Sequence, residues 1–153
     1  MFSKIKRSIY AGNRPNWIAK LLNHFWGRIH SAGLAPENWV SLEVKGRKSG
    51  KIITFPIVIA LLDGQRYAVS MLGDDAQWVK NIRAANGTAY IQRQGRKEVQ
   101  LDEIPVNQRP PILKAYLQQA PGARPHMPVD KDAPLAEFAA IAEQFPVFHI
   151  VTK

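Results

Sequence analysis

The spacing of apolar positions changes character along the chain and divides it into elements. Residues 16–31 place Trp17, Ile18, Leu21, Leu22, Phe25, Trp26 and Ile29 at i, i+3 and i+4 intervals, which predicts an amphipathic helix with a wide apolar stripe. Pro15 suits its first turn and Gly33 its end. From Trp39 the period drops to two: Val40, Leu42 and Val44 alternate with Ser41, Glu43 and Lys45, as in a half-buried strand. The turn Gly46–Gly50 follows, then a longer strand over 52–62 expected to break or bulge at Pro56. Asp63-Gly64 is a two-residue hairpin signal, and 66–71 is the return strand.

Gly73 to Ala76 reads as a loop in which Asp74 or Asp75 caps a helix over 76–85. That helix is expected to bury Trp78, Ile82 and Ala85 and to end at Asn86-Gly87. A second hairpin turns around Gly95, with strands over 88–92 and 98–104 stopped by Pro105. Helices over 108–119 and 135–144 flank a proline-rich loop at 121–134, and 147–151 is a closing strand. Six strands joined mostly by hairpins predict a mainly β, α+β protein, a closed or partly closed antiparallel barrel with flanking helices. The 153 residues fit one domain, with 1–35 a basic helical segment and 39–153 the barrel and its helices.

Charge sharpens this picture. The net charge of +9 is concentrated at the start: Met1 to Lys51 holds ten Lys/Arg against only Glu37 and Glu43, the remainder eleven against ten acids. Such a bias suits an anionic partner or a solvated basic face. With no cysteine, disulfides, thiolate nucleophiles and cysteine-held metals are excluded. No run approaches the roughly 18 apolar residues of a spanning helix, and the basic N-terminus lacks the apolar core of a secretory leader. A cytoplasmic protein is expected.

Two segments carry candidate chemistry. In Gly46-Arg47-Lys48-Ser49-Gly50 the glycines let backbone amides converge, the cations add fixed charge and Ser49 offers a hydroxyl, a combination suited to an anion. The spacing is too short for a Walker loop and no helix follows; a plain basic hairpin turn has a similar composition. On the helix after Gly73, Trp78 and Asn81 share a face. They can flank a planar heterocycle by stacking and hydrogen bonding, or be a core tryptophan and an amide that caps a neighbouring strand. His24, His30, His126 and His149 show no paired ligand spacing, Ser49 and Ser70 lack a nucleophile elbow, and no nucleic-acid module accompanies the basic charge. Neither a catalytic residue nor a metal ligand is assigned.

Taken in order, Gly-Arg-Lys-Ser-Gly, Pro56 six residues later, Asp63-Gly64, then Trp78, Asn81 and Ala84 three apart, resemble the deazaflavin-dependent nitroreductase/quinone reductase family of flavin-reductase-like split β-barrels. The likeness runs from about Trp39 to Leu101, with Pro146 to Ile150 also similar. It implies coenzyme F-420 (8-hydroxy-5-deazaflavin) as cofactor and hydride transfer to a small hydrophobic acceptor, a quinone, enone or nitroaromatic. The implied cofactor-binding positions are Lys48, Ser49 and Gly50 for its phosphate or acidic tail, with Arg47 nearby, Trp78 and Asn81 shaping the deazaflavin pocket, and Lys51, Pro56, Met71, Leu72 and Gly73 as further contacts. The chain departs from the family at Ile53, where arginine is frequent, and at Ser70-Met71-Leu72-Gly73, where Ser-Lys-Gly-Gly is frequent; Lys51 offers a replacement cation. The family also implies alternatives: an FMN-binding reductase, or a non-catalytic carrier of fatty acid or haem at a membrane surface. The N-terminal helix either packs across the barrel mouth or lies on an anionic bilayer. Monomer and homodimer both stay open.

Overall fold

A computed structural model describes residues 38–153; the expected N-terminal helix lies outside these residues. Its core is one seven-stranded antiparallel sheet. The strands are β1 (Trp39–Lys45), β2 (Ile52–Val58), β3 (Ala60–Leu62), β4 (Gln65–Val69), β5 (Thr88–Gln92), β6 (Arg96–Glu103) and β7 (Val147–Thr152). Helix α1 (Gln77–Ala84) separates β4 from β5, and α2 (Pro110–Gln119) and α3 (Leu135–Ile141) lie between β6 and β7.

The sheet order is β2-β1-β5-β6-β7-β4-β3. Its two end strands, β2 and β3, are separated in sequence by Ile59 alone, so the sheet must curl until its edges approach. This is the antiparallel split-barrel architecture with flanking helices. One expectation is corrected: the long strand over 52–62 breaks at Ile59, not at Pro56, which raises the strand number from six to seven. Pro56 stays in register opposite Ser41, because β2 is an end strand where a missing N–H costs no ladder bond on its outer side. Ile59 is buried, and its N–H is donated to the Asn38 carbonyl at 2.8 Å.

Alternation along the strands separates two cores. Val40, Leu42 and Val44 of β1, Ala89 and Ile91 of β5, Val99 and Leu101 of β6, and Phe148 and Ile150 of β7 fill the barrel. Trp78, Val79 and Ile82 of α1 close it from one side. The neighbouring positions Val69 and Val147 face outward, where Leu113, Tyr116 and Leu117 of α2 and Phe138 of α3 cover them. Met71 packs against both cores. Glu43, placed by the alternation on the polar face, is nevertheless buried; Arg96 Nε donates to its Oε1 at 3.0 Å and the Gln92 amide to its Oε2. A buried carboxylate needs such partners.

Helix α1 ends where expected, at Asn86-Gly87, with the Gly87 N–H donated to the Ile82 carbonyl at 2.9 Å. Its start is corrected: Ala76 is the N-cap and neither aspartate caps by its side chain, Asp74 being held by Arg83 instead. Gly87 has φ +87°, and a Cβ there would overlap the Leu101 carbonyl and the Gln100 amide. Both the left-handed backbone and the close approach of β6 require glycine. Gly87→Ala is expected to cost at least about 2 kcal/mol, read by urea denaturation; an unchanged midpoint would contradict this account of the α1–β5 junction.

Candidate functional site

The turn between β1 and β2 is built by its two glycines in different ways. The Gly46 N–H is donated to the Lys51 carbonyl at 2.8 Å and the Gly50 N–H to the Gly46 carbonyl at 2.9 Å, so the turn closes on itself. At Gly46 the constraint is space: a Cβ would lie 2.8 Å from Ser49 Oγ. At Gly50 it is conformation, with φ +71°. Ser49 Oγ also accepts the Lys51 N–H at 3.2 Å, which ties the hydroxyl to the turn.

Asn81 fixes this turn to α1. Its Oδ1 accepts both the Arg47 N–H, at 3.1 Å, and the Arg47 guanidinium Nη1, at 2.8 Å. The amide is buried, at 3% exposure. Arg47 is thereby committed to a structural contact, while Lys48, Ser49, Gly50 and Lys51 are exposed. Among the described residues neither Lys48 nor Lys51 has an ion-pair partner. Two ammonium groups on a braced turn form an electropositive knob able to hold phosphate or carboxylate.

The other sequence-derived positions distribute themselves around this turn. Trp78, one turn before Asn81 on α1, lies in the barrel with ring centroids 6.1 Å from Phe55 and 5.6 Å from Phe148, only 7% exposed. Pro56 is half-buried on β2. Met71, Leu72 and Gly73 form one wall of a cleft of about 310 Å³. The remaining lining is Pro125, His126, Met127 and Pro128 from the proline-rich loop, with Gln144 and Phe145 from the approach to β7. The lining contains no residue of the 46–51 turn. The structure therefore brings Arg47 to Asn81 and groups Met71 with Gly73, as two separate places.

Sequence reasoning missed the polar frame behind the cleft. Arg109, 6% exposed, donates Nε to the Ile104 carbonyl at 2.8 Å and Nη1 to the Ala142 carbonyl at 3.0 Å. Its Nη2 reaches Glu103 Oε2 at 3.2 Å. Glu103 also receives Arg83 through Nε at 3.0 Å and Nη2 at 2.8 Å. The hydrogen bond to Glu103, assisted by Asp74, holds the Arg83 guanidinium protonated well above its ordinary range. An arginine directly before Pro110-Pro111 at a helix start was the available signal, but its partners are remote in sequence. Among the described residues no three-residue cluster of metal-ligating side chains occurs, and no helix is long and apolar enough to cross a membrane.

No family model and no curated protein matches the sequence. Solved structures do match in fold. One is a protein of unknown function from Agrobacterium tumefaciens, with TM-score 0.53 and 12% identity over 75% of this chain. This chain spans 48% of that protein, about half its length. Another, described as a domain-swapped dimer, has TM-score 0.53 and 20% identity over 88% of this chain and 97% of its own. A third is an F420-H2 dependent reductase (FDR-A), with TM-score 0.51 and 20% identity over 74% of this chain and 94% of its own. At these identities the likeness is one of fold.

The Asn81 brace has a direct consequence. Asn81→Ala removes the acceptor of two Arg47 donors, which regain water because Arg47 is exposed, and should lower stability by about 0.5–1.5 kcal/mol. Amide exchange across 46–51 should accelerate more than exchange in β5 and β6. Unchanged protection at Arg47 would show that the turn stands without Asn81.

Proposed function

We propose that this chain is a split-barrel oxidoreductase that holds coenzyme F-420 and reduces a small hydrophobic acceptor. The observation that carries the reading is the double anchoring of Arg47 on Asn81, which braces the turn while leaving Lys48, Ser49 and Lys51 exposed. In this reading those three residues and Gly50 hold the acidic tail of the coenzyme. Trp78 and Asn81 act from beneath, Trp78 by filling the barrel and Asn81 by fixing the turn. The cleft of about 310 Å³ lies within the range of small-molecule sites; its Met71, Leu72 and Gly73 wall borders the ring. Bound deazaflavin supplies the hydride.

The chain itself supplies position. Met71, Leu72, Met127 and Phe145 give the cleft apolar surface against which a planar ring can pack. Gln144 brings an exposed polar side chain to the lining, and in this reading it meets the oxygen of a quinone, enone or nitro group. The fold likeness to an F420-H2 dependent reductase supports the cofactor, and the ordered Gly46–Gly50, Trp78 and Asn81 pattern supports it independently. Of the two assembly states compatible with the sequence we propose the homodimer, supported by the similar structure described as a domain-swapped dimer.

Titration with F-420 should change the coenzyme fluorescence with micromolar or tighter affinity. Lys48→Ala should weaken it about tenfold, the effect of losing roughly 1.4 kcal/mol, with a smaller loss in Lys51→Ala. The affinity should fall as salt screens the exposed cations. Absence of binding at millimolar coenzyme would overturn the cofactor assignment; purified protein that releases FMN on heating would move it to a flavin.

A further inference from the structure

The cleft is walled by segments that are distant in sequence; the Ser70 N–H, donated to the Pro146 carbonyl at 3.0 Å, joins them at their base, and one carboxylate adds a second, side-chain connection. Asp74 directly follows the Met71–Gly73 wall. Its Oδ1 accepts from Arg83 Nη2 at 3.0 Å, and the same guanidinium reaches both oxygens of Glu103, at 3.0 and 2.8 Å. Glu103 Oε2 then accepts from Arg109 Nη2 at 3.2 Å. The remaining nitrogens of Arg109 bind carbonyls on either side of Gln144, at 3.0 Å to Ala142 and 3.5 Å to Phe145, and the Ile104 carbonyl at 2.8 Å. A side-chain path from one wall to the other thus runs through Asp74, Arg83, Glu103, Arg109 and the 142–145 backbone, beside the Ser70–Pro146 backbone bond.

We propose that Glu103 is a positioning residue that sets the aperture of the cleft, holding the Met71–Gly73 wall and the Gln144–Phe145 wall through two arginines that share its carboxylate. The two arms differ in strength. The Arg109 side chain is 7% exposed, so its charge has little water to fall back on and the Glu103 carboxylate neutralises it. On the other arm Arg83 and Asp74 are 41% and 57% exposed, where a single ion pair holds weakly and is screened by salt. The Gln144–Phe145 wall is the fixed one. The Met71–Gly73 wall has the weaker side-chain arm: its base is held by the Ser70 hydroxyl, donated to the Gly73 carbonyl at 2.7 Å, and beyond that base the aperture widens with ionic strength through the Asp74–Arg83 arm.

The acceptor role of this cleft belongs to the proposed function above, but the aperture is measurable without it. Because the chain has no cysteine, Met71→Cys/Gln144→Cys can be spin-labelled cleanly at two rim positions, and the label separation read by pulsed electron paramagnetic resonance. Glu103→Gln should shift the distribution to longer distances and broaden it. Asp74→Asn should broaden it in the same direction while melting within about 2 °C of the parent, since it removes only an exposed pair. Should Glu103→Gln fail to fold, Asp74→Asn carries the test alone. In unlabelled protein, Asp74→Asn should raise KM for menadione about fivefold with kcat little changed, and should weaken F-420 binding less than Lys48→Ala does. Distance distributions identical to the parent in the folded variants would overturn the proposal. Absence of menadione reduction in the parent, with the distances shifting as described, would overturn the acceptor reading and leave the aperture intact.

Discussion

The connection at Ile59 is the constraint from which the rest follows. β2 and β3 are the two ends of the sheet order, yet only one residue lies between them. A chain cannot supply both edges of a flat sheet within one residue, so the sheet curls and encloses its apolar face. That closure makes the alternate residues of β1, β5, β6 and β7 an interior, and leaves the outer face of β4 and β7 for α2 and α3. Helix α1 plugs the barrel with Trp78, and from that position it presents Asn81 to the β1–β2 turn.

The candidate site inherits its rigidity from this arrangement. An exposed basic turn by itself samples many conformations, and ordering it around an anion costs conformational entropy. Here the cost is met during folding: Asn81 accepts two bonds from Arg47, Gly46 makes room for Ser49, and Gly50 closes the loop. The cations that remain exposed are carried on a braced frame. Behind the cleft, Arg109 performs a similar service by tying the Ile104 and Ala142 carbonyls to the Glu103 carboxylate.

How much of this was legible in the sequence depended on the range of the interactions. Period-two alternation in β1, the Asp63-Gly64 hairpin and the Asn86-Gly87 helix stop are local, and each falls where the residues placed it. Pro56 misled because proline breaks an inner strand but not an end strand, and strand order is not a local property. Asp74 misled for a related reason: a helix cap and an ion pair compete for the same carboxylate, and Arg83 lies nine residues away on the helix it was expected to cap. Glu43 looked like a solvent-facing residue until Arg96 and Gln92, from the far hairpin, covered it. Within the site, the Gly46–Gly50 turn was readable, whereas the commitment of Arg47 to Asn81 spans 34 positions. The Glu103–Arg109 frame was unreadable for the same reason.

The central claim is that the braced turn and the cleft wall serve one anionic ring cofactor. Amide chemical-shift mapping during titration with F-420 tests it most directly. The account predicts that the amides of Lys48, Ser49, Gly50 and Lys51 move together with those of Met71, Leu72 and Gly73, saturating at one coenzyme per chain, while those of β3 stay still. Shifts confined to one of the two places, or scattered without saturation, would contradict it.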